Sequence, residues 1–227
     1  MKITAIIVAG GKGTRMGADK NKLLLKIKNR EILYFTLSAF ERNKNIDDIV
    51  LVSGADDIEE CKRIINEGDF RKVKHITVGG ASRQQSVMNG LKCAQGDIAL
   101  IHDGARALVT DAEIDASIED CIKYGAAAVG VKCKDTLKSS RDGFISGTID
   151  RELTYLIQTP QVFRLEEILA LHRRAETDGF AATDDCMIAE HYGVRVRISE
   201  GRYDNIKVTT PEDLIIAEKI LERRDVI

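Results

Sequence analysis

A glycine-rich segment, Ala9-Gly10-Gly11-Lys12-Gly13-Thr14-Arg15-Met16-Gly17, stands directly after the apolar run Ile3–Val8. Glycines clustered behind a strand let backbone N–H groups approach a phosphate without side-chain clashes. Lys12, Arg15, Lys20 and Lys22 add positive charge, and the planar guanidinium of Arg15 can grip two phosphate oxygens at once. The segment is not a Walker A loop, because Gly13 follows Lys12 where Ser or Thr is required. Nor is it a dinucleotide fingerprint, which would need glycine in place of Met16.

Three further segments carry polar groups that could do chemistry. Gly79-Gly80-Ala81-Ser82-Arg83-Gln84-Gln85-Ser86 combines glycines and hydroxyls at the start of a helical pattern. That suits hydrogen bonds to a base or an anion, and equally a plain capped turn. In Ile101-His102-Asp103-Gly104-Ala105-Arg106, Asp103 stands just past a very apolar run, where a carboxylate can hold a divalent cation or a ribose hydroxyl. Alternation places the neighbouring His102 in the core, as a structural residue. Lys207, read as lying inside an apolar strand within Asp204–Val208, calls for an anionic partner.

The elements that must position these loops alternate along the chain. Ile3–Val8, Ile49–Val52, Ile76–Val78, Ile98–Ile101, Ala126–Val131 and Val194–Ile198 read as strands. Ile32–Phe40, Asp56–Ile65, Ser82–Cys93, Asp111–Tyr124, Leu165–Ala175, Asp184–Tyr192 and a last segment from Pro211 read as helices. Thr110 and Thr210 are the expected N-caps of two of them. Such alternation predicts an α/β domain with a mostly parallel sheet and helices on both faces, and ligands then bind beyond the carboxyl ends of the strands. Between Lys132 and Leu156 the rhythm breaks around Asp142-Gly143, a hairpin signal. That hairpin has little apolar surface of its own, so an arm reaching to another subunit is expected there.

Composition narrows the class. At 227 residues the chain has the length of a single domain, expected to run over 1–227 with the arm at 134–151. Lys and Arg number 34 against 36 Asp and Glu, a balance that argues against a nucleic-acid-coating or polybasic membrane protein. The opening apolar run is too short for a signal segment or a membrane span, so a cytoplasmic protein is expected. Cys61, Cys93, Cys121, Cys133 and Cys186 are odd in number and contain no C-x-x-C pair, which predicts buried, reduced thiols.

Taken in order, AGGKGTRMG, the lysine of NKLLLKI, GGASRQQSV, HDGAR, KDT, DR, QTPQVF, TDD and GRYDNIKVTTPEDL resemble the 2-C-methyl-D-erythritol 4-phosphate cytidylyltransferases across essentially the whole length. The opening glycine motif is shared by many sugar-nucleotide transferases, whereas HD-x-AR, TPQ-x-F and DNIKVT-x-PEDL are far more specific. The resemblance implies a nucleotidyltransferase α/β fold with a protruding β-arm, assembled as a homodimer. It also implies transfer of CMP from CTP to a polyol phosphate with Mg²⁺ present, in isoprenoid precursor synthesis by the non-mevalonate route.

Residue by residue, it implies that Arg15 and Lys22 stabilise charge on the triphosphate. Gly80, Ala81, Arg83 and Ser86 would lie on the nucleotide-reading loop, beside Ala9, Gly10, Gly11 and Gly13. Asp103 and Gly104 would sit near the ribose, with Asp103 the one protein group close to the metal. Arg106, Thr136, Arg151, Thr159 and Lys207 would bind and orient the acceptor, with Arg151 and Lys207 also serving catalysis. Asn21 and Ala107 replace prolines usual in the family, and Ala81 stands where an acidic residue is common. The alternative acceptor is another polyol phosphate such as ribitol 5-phosphate; a non-catalytic nucleotide-binding module on the same fold is the reading from a different class.

Overall fold

The computed structural model describes residues 1–10 and 22–225. The readings at Gly11, Gly13 and Arg15, and that on the Lys22 side chain, lie outside the described residues. In chain order the strands are β1 (Ile3–Val8), the two-residue rungs β2 (Lys26–Ile27) and β3 (Arg30–Glu31), β4 (Asp48–Ser53), β5 (Val73–Val78), β6 (Ile98–Asp103), β7 (Ala126–Lys132), β8 (Leu137–Arg141), β9 (Phe144–Ile149), β10 (Tyr155–Arg164) and β11 (Arg197–Glu200). The helices are α1 (Ile32–Arg42), α2 (Ile58–Gly68), α3 (Arg83–Cys93), α4 (Asp111–Tyr124), α5 (Leu165–Thr177), α6 (Asp185–His191) and α7 (Pro211–Arg223).

Among the described residues, seven strands form one sheet in the order β11-β7-β10-β6-β1-β4-β5. β1 is parallel to both β4 and β6, β5 is parallel to β4, and β11 is parallel to β7. β10 runs antiparallel to both of its neighbours, β6 and β7. Period-two alternation then divides the strand residues between two faces. Ala5, Ile7, Ile49, Leu51, Ile98 and Leu100 pack with apolar residues of α1, α2, α4 and α7. Ile6, Val50, Val52, Ala99 and Ile101 pack on the other side with α3, α5 and α6. Burial on both faces is why the central strands are continuous apolar runs rather than alternating ones.

Helix boundaries follow their caps. Thr110 and Glu113 make a capping box on α4, and Thr210 and Asp213 make one on α7, whose first residue is Pro211. Ser82 caps α3 and Asp184 caps α6 through their side chains. All five cysteines are free; Cys61, Cys121, Cys133 and Cys186 are buried as expected, whereas Cys93 is only half-buried.

Three expectations shift. The strand read at Val194–Ile198 forms instead at Arg197–Glu200, because Val194 is still engaged in closing α6, its N–H donating to the Ala189 carbonyl at 2.9 Å. No strand forms around Lys207; Val208 N–H donates to the Ala105 carbonyl at 2.9 Å from irregular chain. β10 was not read as a strand at all, since Gln158-Thr159-Pro160-Gln161 is polar and proline removes a ladder donor. Its pairing with β7 is interrupted between Ile157 and Gln161, and Pro160 sits inside that irregularity.

The expected hairpin is present. β8 and β9 pair antiparallel, joined by Asp142 and Gly143 with φ of 52° and 83°. Two successive left-handed residues are what the tight hairpin turn demands, and Asp-Gly supplies them with little strain. This arm grows from the far end of the β7–β10 pair, where Cys133 N–H donates to the Thr154 carbonyl at 3.0 Å. Phe144 and Ile145 near its tip are exposed.

Candidate active site

The carboxyl ends of β1, β5 and β6 open onto a cleft of about 570 Å³. Gly10 enters it from β1, Gly80, Ala81, Ser82, Arg83 and Ser86 from the β5–α3 turn, Asp103 and Ala105 from β6, and Lys207 from the loop before α7. Segments read separately along the chain thus meet in one place. Ala9 lies beneath the cleft, buried, with its N–H donating to the Val52 carbonyl at 2.7 Å. Gly104 supports the floor: its N–H donates to the Val8 carbonyl at 2.9 Å and its carbonyl accepts from Thr36 Oγ1 at 2.7 Å.

The turn at the head of α3 is folded on itself. Gly80 N–H donates to Ser86 Oγ at 3.0 Å and Ala81 N–H to Gln85 Oε1 at 3.0 Å, while Ser86 Oγ–H donates to the Ser82 carbonyl at 2.8 Å. Ser86 therefore shapes the loop, and a Cβ at Gly80 would run into the Gln85 side chain. A rim of backbone at a helix N-terminus suits an anion or the polar edge of a base.

Asp103 is the electrostatic centre. Its Oδ2 accepts from Lys207 Nζ at 2.6 Å and its Oδ1 from Arg83 Nε at 3.3 Å. Burial alone would raise its carboxyl, but Arg83 and Lys207 outweigh that and hold it far below the ordinary carboxylate range. Burial likewise opposes the charge on Arg83, yet Asp185 and Asp103 together push its guanidinium further up, so it stays charged.

Beneath Asp103, Thr159 and His102 form a hydrogen-bonded chain. His102 is fully buried, ring-packed on Phe40 at 4.8 Å, and burial pushes its imidazole down to about 3. The neutral ring faces the Arg106 carbonyl through Nε2 at 3.1 Å; because that carbonyl can only accept, the proton sits on Nε2. Nδ1 then accepts from the Thr159 hydroxyl at 3.0 Å, and the same oxygen accepts the Asp103 N–H at 3.1 Å. His102 is structural, as alternation implied, and Thr159 acts on Asp103 from below.

The other residues expected to bind the acceptor divide. Arg106 is turned from the cleft, Nη1 donating to the Asn205 carbonyl at 2.6 Å, while Asn205 Nδ2 donates to Glu113 Oε1 at 3.1 Å and the Thr159 carbonyl at 3.2 Å. Thr136 and Arg151 are exposed at the two ends of the arm and do not line the cleft; Arg151 Nε lies 3.6 Å from Glu152. Asp185 and His172 went unassigned in the sequence reading. Asp185 Oδ2 lies 2.9 Å from Arg83 Nη1, and its Oδ1 accepts from His172 Nε2 at 3.0 Å. The TDD string held the signal, since an acid at a helix start among apolar neighbours is buried only when paired.

A glycine-rimmed cleft at the strand ends, with cations converging on one carboxylate, defines a nucleotidyltransferase of the α/β class. The family model of 2-C-methyl-D-erythritol 4-phosphate cytidylyltransferase matches residues 3–223, and the chain belongs to that family. It is 47% identical over 224 residues to a protein of that name from Clostridium novyi, covering 97% of each chain, and 46% identical over 225 residues to one from Clostridium acetobutylicum, covering 98% of each. A solved 4-diphosphocytidyl-2C-methyl-D-erythritol synthase from Anaerococcus prevotii superposes with a TM-score of 0.86 at 32% identity, over 98% of this chain and 99% of that one. The Thermus thermophilus enzyme superposes at 0.80 with 26% identity, over 96% and 98%.

Proposed function

We propose that this cleft transfers the CMP moiety of CTP to 2-C-methyl-D-erythritol 4-phosphate, releasing pyrophosphate and 4-diphosphocytidyl-2-C-methyl-D-erythritol for isoprenoid precursor synthesis by the non-mevalonate route. The observation that carries this reading is the meeting of Gly80, Ala81, Arg83, Asp103 and Lys207 in one strand-end cleft. An acceptor phosphate oxygen attacks the α-phosphorus; a new P–O bond forms as the bond to the β-phosphate oxygen breaks. The attacking group is already a dianion near neutral pH, so no general base is required. Catalysis reduces to positioning and charge stabilisation.

Arg15 and Lys22 neutralise the triphosphate, with Gly11 and Gly13 close to Arg15 in sequence. Gly10, Gly80, Ala81 and Arg83 receive the nucleotide, and Asp103 meets the ribose. Lys207, with its side chain 40% exposed, turns from Asp103 to the acceptor phosphate together with Arg151, while Arg106, Thr136 and Thr159 complete or support that half of the site. Among the described residues Asp103 is the one carboxylate lining the cleft, and it stays ionised. That fits Mg²⁺ held by Asp103 and mostly by substrate phosphate oxygens. When bound, the ion would supply charge neutralisation to the leaving pyrophosphate. Calorimetry on the nucleotide-free protein is expected to show no tight Mg²⁺ binding.

The exposure of Thr136 and Arg151 on the arm supports a homodimer as the active form, in which one protomer's arm completes its partner's site. No helix among the described residues is long and apolar enough to cross a membrane; the reading places the enzyme in the cytoplasm. A panel of polyol phosphates assayed with CTP by pyrophosphate release tests the function. The methylerythritol ester is expected to be turned over best, and a preference for ribitol 5-phosphate would overturn the acceptor assignment.

A further inference from the structure

Arg83 faces the cleft, but what holds it comes from behind. Its Nε donates to Asp103 Oδ1 at 3.3 Å, and its Nη1 lies 2.9 Å from Asp185 Oδ2. Asp185 opens α6 and is fully buried; His172, on α5, is also buried and donates to the other Asp185 oxygen at 3.0 Å. Neither residue lines the cleft. The backbone that carries Asp185 is pinned as well, with the Asp185 and Cys186 N–H groups donating to Gln161 Oε1 at 3.0 and 3.2 Å. The preceding loop is clamped by Gln84, next to Arg83, which donates to the Phe180 carbonyl at 3.1 Å and accepts from Ala182 N–H at 3.0 Å.

A buried carboxylate is unfavourable unless its oxygens are paired, and here one oxygen is given to a histidine and the other to a cleft arginine. An arginine held at one end loses its rotamer freedom before a ligand arrives. Asp103 must exchange partners when a ribose or a cation engages it, so Asp185 is the anchor that remains.

We propose that Asp185 and His172 are positioning residues for nucleotide transfer: His172 aims Asp185, and Asp185 keeps the Arg83 guanidinium directed into the cleft. The proposal rests on the reading of the cleft as the nucleotide site. It sets apart two buried groups that never touch substrate from the ones that do.

Full-length Asp185→Asn, His172→Leu, His172→Gln, Arg83→Ala and the Asp185→Asn/Arg83→Ala pair test it, with CTP affinity by calorimetry and steady-state kcat and KM for both substrates. Asp185→Asn is expected to lower kcat/KM for CTP by up to about 100-fold while KM for the acceptor stays within about twofold. His172→Leu should lose about tenfold, whereas His172→Gln, which keeps an N–H donor, should stay within about threefold. In the Arg83→Ala background, Asp185→Asn should add no more than about a twofold further loss, because its effect passes through the missing guanidinium. Unchanged CTP affinity and KM in Asp185→Asn, or equal losses in both backgrounds, would overturn the proposal. Should thermal melts show Asp185→Asn unfolded, the Leu and Gln variants at His172 decide alone: equal activity in both refutes the role. Wild-type protein that neither binds CTP nor releases pyrophosphate would overturn the cleft reading itself; wild-type turnover with independent variant effects removes only the positioning role.

Discussion

Asp103 and Arg151 are both charged residues assigned to the site, in opposite surroundings. Asp103 is 8% exposed, carries an ion pair on each oxygen, and rests on a hydrogen-bonded chain through Thr159 and His102. Arg151 stands at the foot of the arm, just after β9, with its side chain 58% exposed and Glu152 3.6 Å away; near the tip of the same arm Phe144 is 78% exposed. The cleft is organised before any ligand arrives, by contacts within one chain. The arm instead leaves Thr136, Phe144, Ile145 and Arg151 exposed. In the proposed function one region supplies rigid electrostatics for the nucleotide, and the other would supply reach for the acceptor and a second subunit.

If this contrast is right, damage to the two regions must show in different kinetic constants. Lys22→Ala is expected to lower kcat by about 10²–10³, the usual loss on removing one preorganised charge stabiliser; near wild-type kcat would end the assignment. Arg15→Lys should also be impaired, since an ammonium cannot reproduce the planar fork.

Arg151→Ala should raise KM for the acceptor by about 10- to 100-fold, the range for a hydrogen bond to a charged group, and leave KM for CTP nearly unchanged. Equal rises in both constants would erase the distinction between cleft and arm. Replacing Ser139–Ser146 by a short turn carries the same test to assembly. Sedimentation should show the dimer lost and acceptor turnover reduced, and an active dimer would contradict the exchange of arms.

Stability should separate the regions too. Burial lowers the His102 imidazole from its ordinary 6.5 to about 3, so as pH falls below 6.5 the unfolded chain takes up a proton that the folded chain refuses. Stability attributable to His102 is therefore full above that point and declines towards pH 3, by at most about 1.4 kcal/mol per pH unit. Denaturant titrations of wild type and His102→Asn should differ in this slope, whereas trimming the arm should leave it unaltered. The smallest effect is expected at Thr210→Ala, which removes the cap of α7 and should cost about 1 kcal/mol in chemical denaturation without changing either KM.

Much of the fold could be read residue by residue because the relevant signals are local. The apolar runs Ile3–Val8 and Ile98–Ile101 mark strands buried on both faces, Thr110 and Thr210 mark helix starts, and Asp142-Gly143 marks the arm. The Gly80 turn and Asp103 were placed as site residues by standing immediately after strands, and both line the cleft. β10 escaped because its polar, proline-containing centre carries no strand pattern, and its place between β6 and β7 is a matter of sheet order.

By itself, then, the sequence determined the α/β class, the family, the strand-end loops and the hairpin, since each depends on neighbours a few residues apart. Only the tertiary structure decided that Lys207 meets Asp103 from 104 residues away, that Thr159 supports it through a strand running against its neighbours, and that α5 and α6 deliver His172 and Asp185 behind Arg83. Partners of buried charges are chosen by which elements pack together. No short window of residues records that choice, because desolvation and pairing arise only when the layers close.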